Sequence, residues 1–110
     1  ELECGRAADI LKSLPADIEP FDFIFIDADK QSYPEYLELS LKLSHSGTLI
    51  FLDNVIRAGD IINPENHKPS IEGIRNMFKA MQNHPKILSC TALQTVGSKG
   101  HDGFALAIVK

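Results

Sequence analysis

Tryptophan is absent and cysteine nearly so: Cys4 and Cys90 are the only two, far apart and with neither a CxxC spacing nor a histidine partner nearby. That excludes a zinc centre or dithiol redox site and leaves buried thiols as the expectation. No apolar run approaches the roughly 18 residues that cross a bilayer, and no charged-then-apolar leader opens the chain. A cytoplasmic chain with no membrane partner is predicted. Basic residues are the minority, 11 Lys and Arg against 15 Asp and Glu for a net charge of −4, and they form no run. Without a basic footprint for a phosphate backbone, nucleic acid is not expected as a partner. The dense glycines, Gly97, Gly100 and Gly103, precede a strand instead of joining a strand to a helix, so no dinucleotide cradle is present. Neither a G-x-S-x-G elbow nor a Ser-His-Asp set occurs, and His45, His67, His84 and His101 share no metal-ligand spacing. An initiator Met is also missing. Leu2-Glu3-Cys4 reads as the tail of a strand that began earlier, so a piece of a longer domain is expected.

What is present, 44% apolar and 24% charged residues in a chain of 110, is the makeup of an ordinary globular domain. Ala7, Ile10, Leu11 and Leu14 recur at helical spacing, and Pro15 stops the helix. Phe21–Ile26 is almost unbroken apolar sequence, aromatic and β-branched, which suits a parallel strand covered on both faces and central in its sheet. Ser32-Tyr33-Pro34-Glu35 has the spacing of a capping box with proline in the first turn, so a helix is predicted from about Tyr33 to Leu43. Leu37, Leu39, Leu41 and Leu43 alternate like a strand, but the cap, the length and the Ser46-Gly47 stop favour helix.

Thr48–Leu52 is a second continuous apolar run, and strand, helix, strand in succession point to an α/β fold with a parallel sheet. The polar stretch from Arg57 to Pro69 is a candidate binding loop. A helix resumes near Ser70, with Ile71, Ile74, Phe78 and Met81 on one face, and ends at His84-Pro85. Ile87–Val96 and Phe104–Val109 flank the glycines as an antiparallel pair with a wide hairpin loop.

Asp27 ends the first apolar run and Asp53 the second. If the two strands are parallel neighbours, ~4.8 Å apart, both carboxylates stand at the carboxyl edge, where open α/β sheets bind ligands. Asn54 adds an amide oxygen. This all-oxygen trio suits Mg²⁺ or Ca²⁺, while the competing reading is Asx turns and helix caps. Lys30 overlooks the same edge, either as a solvated surface residue or as a base. Beside a dication its ammonium is disfavoured, leaving an amine able to take a proton from a hydroxyl. Asp29 reads locally as a helix-approach cap, and Tyr33 and Tyr36 as core residues.

Phe21–Tyr36, FDFIFIDADKQSYPEY, and Gly47–Gly59, GTLIFLDNVIRAG, resemble the cation-dependent O-methyltransferases, the group that includes the caffeoyl-CoA and catechol O-methyltransferases. Ile74-Arg75, His84-Pro85 and Asp102–Ala107 resemble its later segments in the right order, so the likeness covers essentially all 110 residues. It implies a Rossmann-like methyltransferase sheet, mostly parallel with a C-terminal antiparallel hairpin, with S-adenosylmethionine as donor and a catechol-type or other small vicinal hydroxyl as acceptor. By the same likeness Asp27, Asp53 and Asn54 are metal ligands, for Mg²⁺ first with Ca²⁺ or Mn²⁺ as alternatives. Lys30 is the candidate base, Ala7 approaches the adenine from the Gly5-Arg6-Ala7 turn, and Asp29 and Tyr36 match donor-contacting positions.

The resemblance further implies a homodimer and makes residues 1–110 the C-terminal portion of a single methyltransferase domain. The family's N-terminal half, with its glycine-rich donor loop and acidic ribose-binding residue, has no counterpart here, so the 110 residues alone are expected to be inactive. Around Arg57-Ala58 the tryptophan and asparagine of the plant caffeoyl-CoA enzymes are also missing, which argues for a bacterial-type enzyme and against a CoA-ester acceptor. Two rivals stand beside this reading. One is a Mg²⁺-binding phosphoacceptor receiver domain, disfavoured because Lys30 follows Asp27 so closely; the other is a non-catalytic fragment.

Overall fold

The computed structural model describes all of residues 1–110. Helix α1 (Ala7–Ser13) precedes strand β1 (Phe21–Ile26), a single 3-10 turn (Lys30–Ser32) and helix α2 (Tyr33–Lys42). Strand β2 (Ser44–Asp53), a second 3-10 segment (Arg57–Ile62), helix α3 (Pro69–Met81) and strands β3 (Ile87–Gly97) and β4 (Gly100–Val109) complete the chain. The four-stranded sheet runs β1-β2-β4-β3. β1 and β2 are parallel, whereas β2/β4 and β4/β3 are antiparallel, so the sheet is mixed and its parallel character lies at the end that carries Asp27.

Strand periodicity divides the sheet into two unlike faces. Ile26, Ile50, Leu52, Ala105, Ala107 and Val109 are buried in one core with Tyr33, Tyr36, Leu37, Leu39, Leu41, Ile74, Met77 and Met81 of the helices. α2 is packed between α1, α3 and the sheet, which explains its alternating leucines: a helix buried on most sides needs apolar residues off the ordinary stripe. α1 buries only Ala8, and Ala7 stays exposed.

The opposite face is bare. Phe23 and Phe25 are 53% and 54% exposed, and the rings of Phe25, Phe51 and Phe104 form a row across three strands, with centroids 5.2 and 4.7 Å apart. β1, expected to be central and covered on both faces, is an edge strand covered on one, because within this chain only β2 pairs with it. An open strand edge beside an apolar face templates association. The 110-residue chain by itself is therefore expected to sediment as species larger than a monomer at micromolar concentration, and Phe23→Lys to shift it toward monomer. A monomeric wild-type chain would contradict this.

Three local expectations are corrected. Ser32 makes no capping hydrogen bond to the helix; its hydroxyl donates to Asp29 instead, and the 3-10 turn supplies the entry to α2. The hairpin is tight, with Gly97 paired to Gly100 across Ser98-Lys99, and Gly100 takes φ +89°, which glycine adopts without a Cβ clash. Both cysteines are free and exposed, since α1 does not reach Cys4 and no element covers β3 at Cys90.

Candidate active site at the strand ends

Parallel pairing of Ile26 with Leu52 brings the next residues, Asp27 and Asp53, to the same edge of the sheet. Tyr33 holds that edge together. Its ring is fully buried, and its hydroxyl donates to the carbonyl of Asp53 at 2.7 Å, with the carbonyl of Ile26 at 3.3 Å, so one side chain joins the ends of both strands. Burial pushes its hydroxyl pKa up, which keeps it a donor. As expected, Tyr33 is a core residue, but one whose polar tip positions the carboxylate strand ends.

Lys30 begins the 3-10 turn, and α3 packs directly on it. A Cβ on Gly73 would lie 2.4 Å from the Lys30 carbonyl oxygen, so only glycine allows this approach. The Lys30 side chain is 10% exposed; Nζ donates to Asp27 Oδ1 at 3.1 Å and to the Ala28 carbonyl at 2.8 Å, and lies 5.0 Å from the Tyr33 ring centroid. Burial pulls its pKa down, but Tyr33 and Asp27 outweigh burial and leave it raised. Lys30 is thus neither a solvated surface residue nor, in the chain as it stands, a free amine: it is a half-buried ammonium paired with Asp27.

Asn54 has φ 57°, in the left-handed region that asparagine tolerates better than most residues. Its backbone N–H donates to Asp53 Oδ1 at 2.8 Å, a contact between adjacent residues and not an Asx turn, since the Val55 N–H goes to the carbonyl of Gly103. That bond leaves Asp53 Oδ2 uncommitted. Asn54 Nδ2 donates to Asp102 Oδ2 at 3.2 Å. Asp102 Oδ1 in turn accepts the backbone N–H groups of Ile56, Arg57 and Gly103 at 3.2, 3.1 and 2.9 Å. Burial would raise the Asp102 pKa, but these donors hold it below the ordinary carboxylate value. No three His, Cys, Asp or Glu side chains converge as a metal site; the trio at the edge has two carboxylates, its third oxygen being an amide.

Ala7 and Tyr36 line one open cleft of about 500 Å³ between α1, β1 and α2, and Asp27 stands at its edge. Asp29 does not line it. Both of its oxygens are engaged, one by the Tyr36 hydroxyl and the other by Ser32, and these bonds lower its pKa. The structure therefore brings Ala7, Tyr36 and Asp27 to one cavity, with Asp29 behind Tyr36. Burial and the Asp29 carboxylate both raise the Tyr36 pKa.

Several contributors are invisible in the sequence alone. Arg75 donates to the carbonyls of Asp60, Ile61, Asn63 and Asn66, and so orders the polar stretch otherwise read as a binding loop. The only signal was an arginine on an otherwise apolar helix face. Gly103 is required because a Cβ there would lie 2.2 Å from the Leu93 carbonyl oxygen; its pairing with Asp102 in an Asp-Gly step resembled a turn, not a strand.

The O-methyltransferase family pattern matches residues 1–107. A catechol O-methyltransferase of Niastella koreensis is 47% identical over 111 residues, covering all of this chain and 50% of that protein. An O-methyltransferase of Bacillus cereus, solved in complex with SAH, is 49% identical, with a TM-score of 0.84 over 94% of this chain and 46% of that one. One from Streptomyces achromogenes, involved in tomaymycin synthesis and solved with SAM, is 39% identical, with a TM-score of 0.90 over 96% of this chain and 48% of that one. The chain spans about half the length of the curated relatives it matches. The receiver-domain alternative falls with this match. A mixed sheet closed by an antiparallel pair, one carboxylate at the end of each parallel strand, and a family pattern along nearly the whole length agree: the chain belongs to the O-methyltransferase family.

Proposed function

We propose that this chain is the cation-binding half of a cytoplasmic, homodimeric enzyme that moves a methyl group from S-adenosylmethionine to one hydroxyl of a small catechol-type acceptor. The observation that carries the reading is the strand-end arrangement: Asp27 and Asp53 at the ends of adjacent parallel strands, Asn54 directly after Asp53, and the half-buried Lys30 paired with Asp27. The donor set fits a hard divalent cation, Mg²⁺ first, because Asp53 Oδ2 and Asn54 Oδ1 are oxygens that no hydrogen bond within the chain engages. When bound, the cation would supply a positive charge for two neighbouring acceptor oxygens. Asp27, Asp53 and Asn54 would hold it.

Lys30 is the residue placed to receive the acceptor proton. Its raised pKa depends on Tyr33 and on Asp27, so drawing the Asp27 carboxylate away removes one of the two contacts that oppose burial and moves Lys30 toward the neutral amine. Ala7 and Tyr36 would face the donor along the cleft, with Asp29 fixing the Tyr36 hydroxyl. The donor would supply an electrophilic methyl group there, and Ala7 and Tyr36 would hold it on the side of the acceptor. A free catechol is favoured over a CoA ester because the residues around Arg57-Ala58 offer no aromatic platform.

The isolated chain is proposed to be inactive, so the assay uses a chimaera that joins it to the remaining half of the Niastella koreensis relative. Catechol is expected to yield a monomethyl ether and phenol, with a single hydroxyl, essentially none. Equal methylation of the two would refute the vicinal-hydroxyl reading. A folded chimaera that methylates neither would favour a non-catalytic fragment.

A further inference from the structure

Asp102 lies on β4, far in sequence from the strand-end carboxylates, yet it is the only residue that hydrogen-bonds the side-chain amide of Asn54. A carboxylate can only accept, so the Asn54 amide must turn its NH₂ toward Asp102, which leaves Oδ1 as its free end. The same carboxylate clamps the backbone of Ile56 and Arg57 through its other oxygen. That segment needs a clamp: Asn54, Arg57 and Ala58 all have φ near +56°, and Gly59 has φ +89°. Asp102 therefore does two separable jobs with two different oxygens.

We propose that Asp102 is a positioning residue that sets which end of the Asn54 amide is presented as a cation ligand beside Asp27 and Asp53; this rests on the cation reading above. Asp102→Asn separates the two jobs. The new amide keeps an oxygen for the three backbone N–H groups but sets an NH₂ against the NH₂ of Asn54, which must then turn over and offer nitrogen hydrogens in place of oxygen. Exchanging the partners, Asn54→Asp with Asp102→Asn, restores a donor on residue 102, an acceptor on residue 54 and one free oxygen there.

The test measures Mn²⁺ affinity by electron paramagnetic resonance, and thermal melting in chelator, for the full chain, Asp102→Asn and the exchanged pair. Asp102→Asn is expected to weaken Mn²⁺ binding about 10- to 100-fold, the usual effect of losing a group that orients a metal ligand. The exchanged pair should recover most of that loss and the melting temperature as well. Unchanged Mn²⁺ affinity in Asp102→Asn, or no recovery in the exchanged pair, overturns the proposal. If both variants unfold, Asp102 serves the backbone alone and the proposal likewise falls. If the wild-type chain binds no Mn²⁺, the cation reading fails. The melting arm then decides the orientation by itself: recovery upholds the Asp102–Asn54 pairing, and its absence removes it.

Discussion

Asp53→Ala in the chimaera is expected to cut methyl transfer to catechol by at least about a hundredfold, since the charge stabilisation a metal gives a developing oxyanion amounts to several kcal/mol. The loss should not come from unfolding. Tyr33 is tied to the backbone carbonyl of Asp53, not to its carboxylate, so the joint between β1 and β2 survives the substitution. What the fold loses is one hydrogen bond, Asn54 N–H to Asp53 Oδ1, worth about 1 kcal/mol. Circular dichroism and melting should therefore differ little from the parent while turnover collapses. Asp27→Ala should do the same, with one added effect: Lys30 loses its ion-pair partner, so its pKa should fall. Asp53→Ala with full activity would remove the carboxylate from the reaction.

Lys30→Met is expected to lower kcat by about two to four orders of magnitude with little change in donor affinity, the range for losing a positioned general base. Methionine fills the same volume beside Tyr33 without the charge, and Gly73 still permits the close approach of α3, so the turn should persist. A base and a positioning residue are separated by the acceptor. Because a nitro-substituted catechol gives up its proton readily, the Lys30→Met defect should shrink on that acceptor if Lys30 takes the proton. A defect of equal size on both acceptors would leave Lys30 as a positioning residue for Asp27.

The parts of this fold that were legible in the sequence are those written in a short window. The apolar runs at Phe21–Ile26 and Thr48–Leu52, the proline-led entry of α2 and the apolar face of α3 all appear at their expected places. So does the juxtaposition of Asp27 and Asp53, because two neighbouring parallel strands leave no other geometry for their last residues. What escaped depends on contacts across long separations. The role of Asp102 needs β4 folded beside β2, and the value of Gly73 appears only when α3 meets the Lys30 turn. The raised pKa of Lys30 follows from Tyr33 and Asp27 closing around it, whereas spacing alone suggested only that it faces the edge. The sequence of β1 describes a strand with neighbours on both sides, and the bare phenylalanine face is where that description and the 110-residue chain part company.

The most direct test of the cation-assisted reading is radiolabelled methyl transfer from S-adenosylmethionine to catechol by the chimaera, run with Mg²⁺, with excess chelator, and with Mg²⁺ restored beyond the chelator. The predicted result is label in the monomethyl ether with Mg²⁺, background counts in chelator and full recovery on restoration. Undiminished transfer in chelator would contradict the account, because Asp27, Asp53 and Asn54 would then have no cation to hold during the reaction.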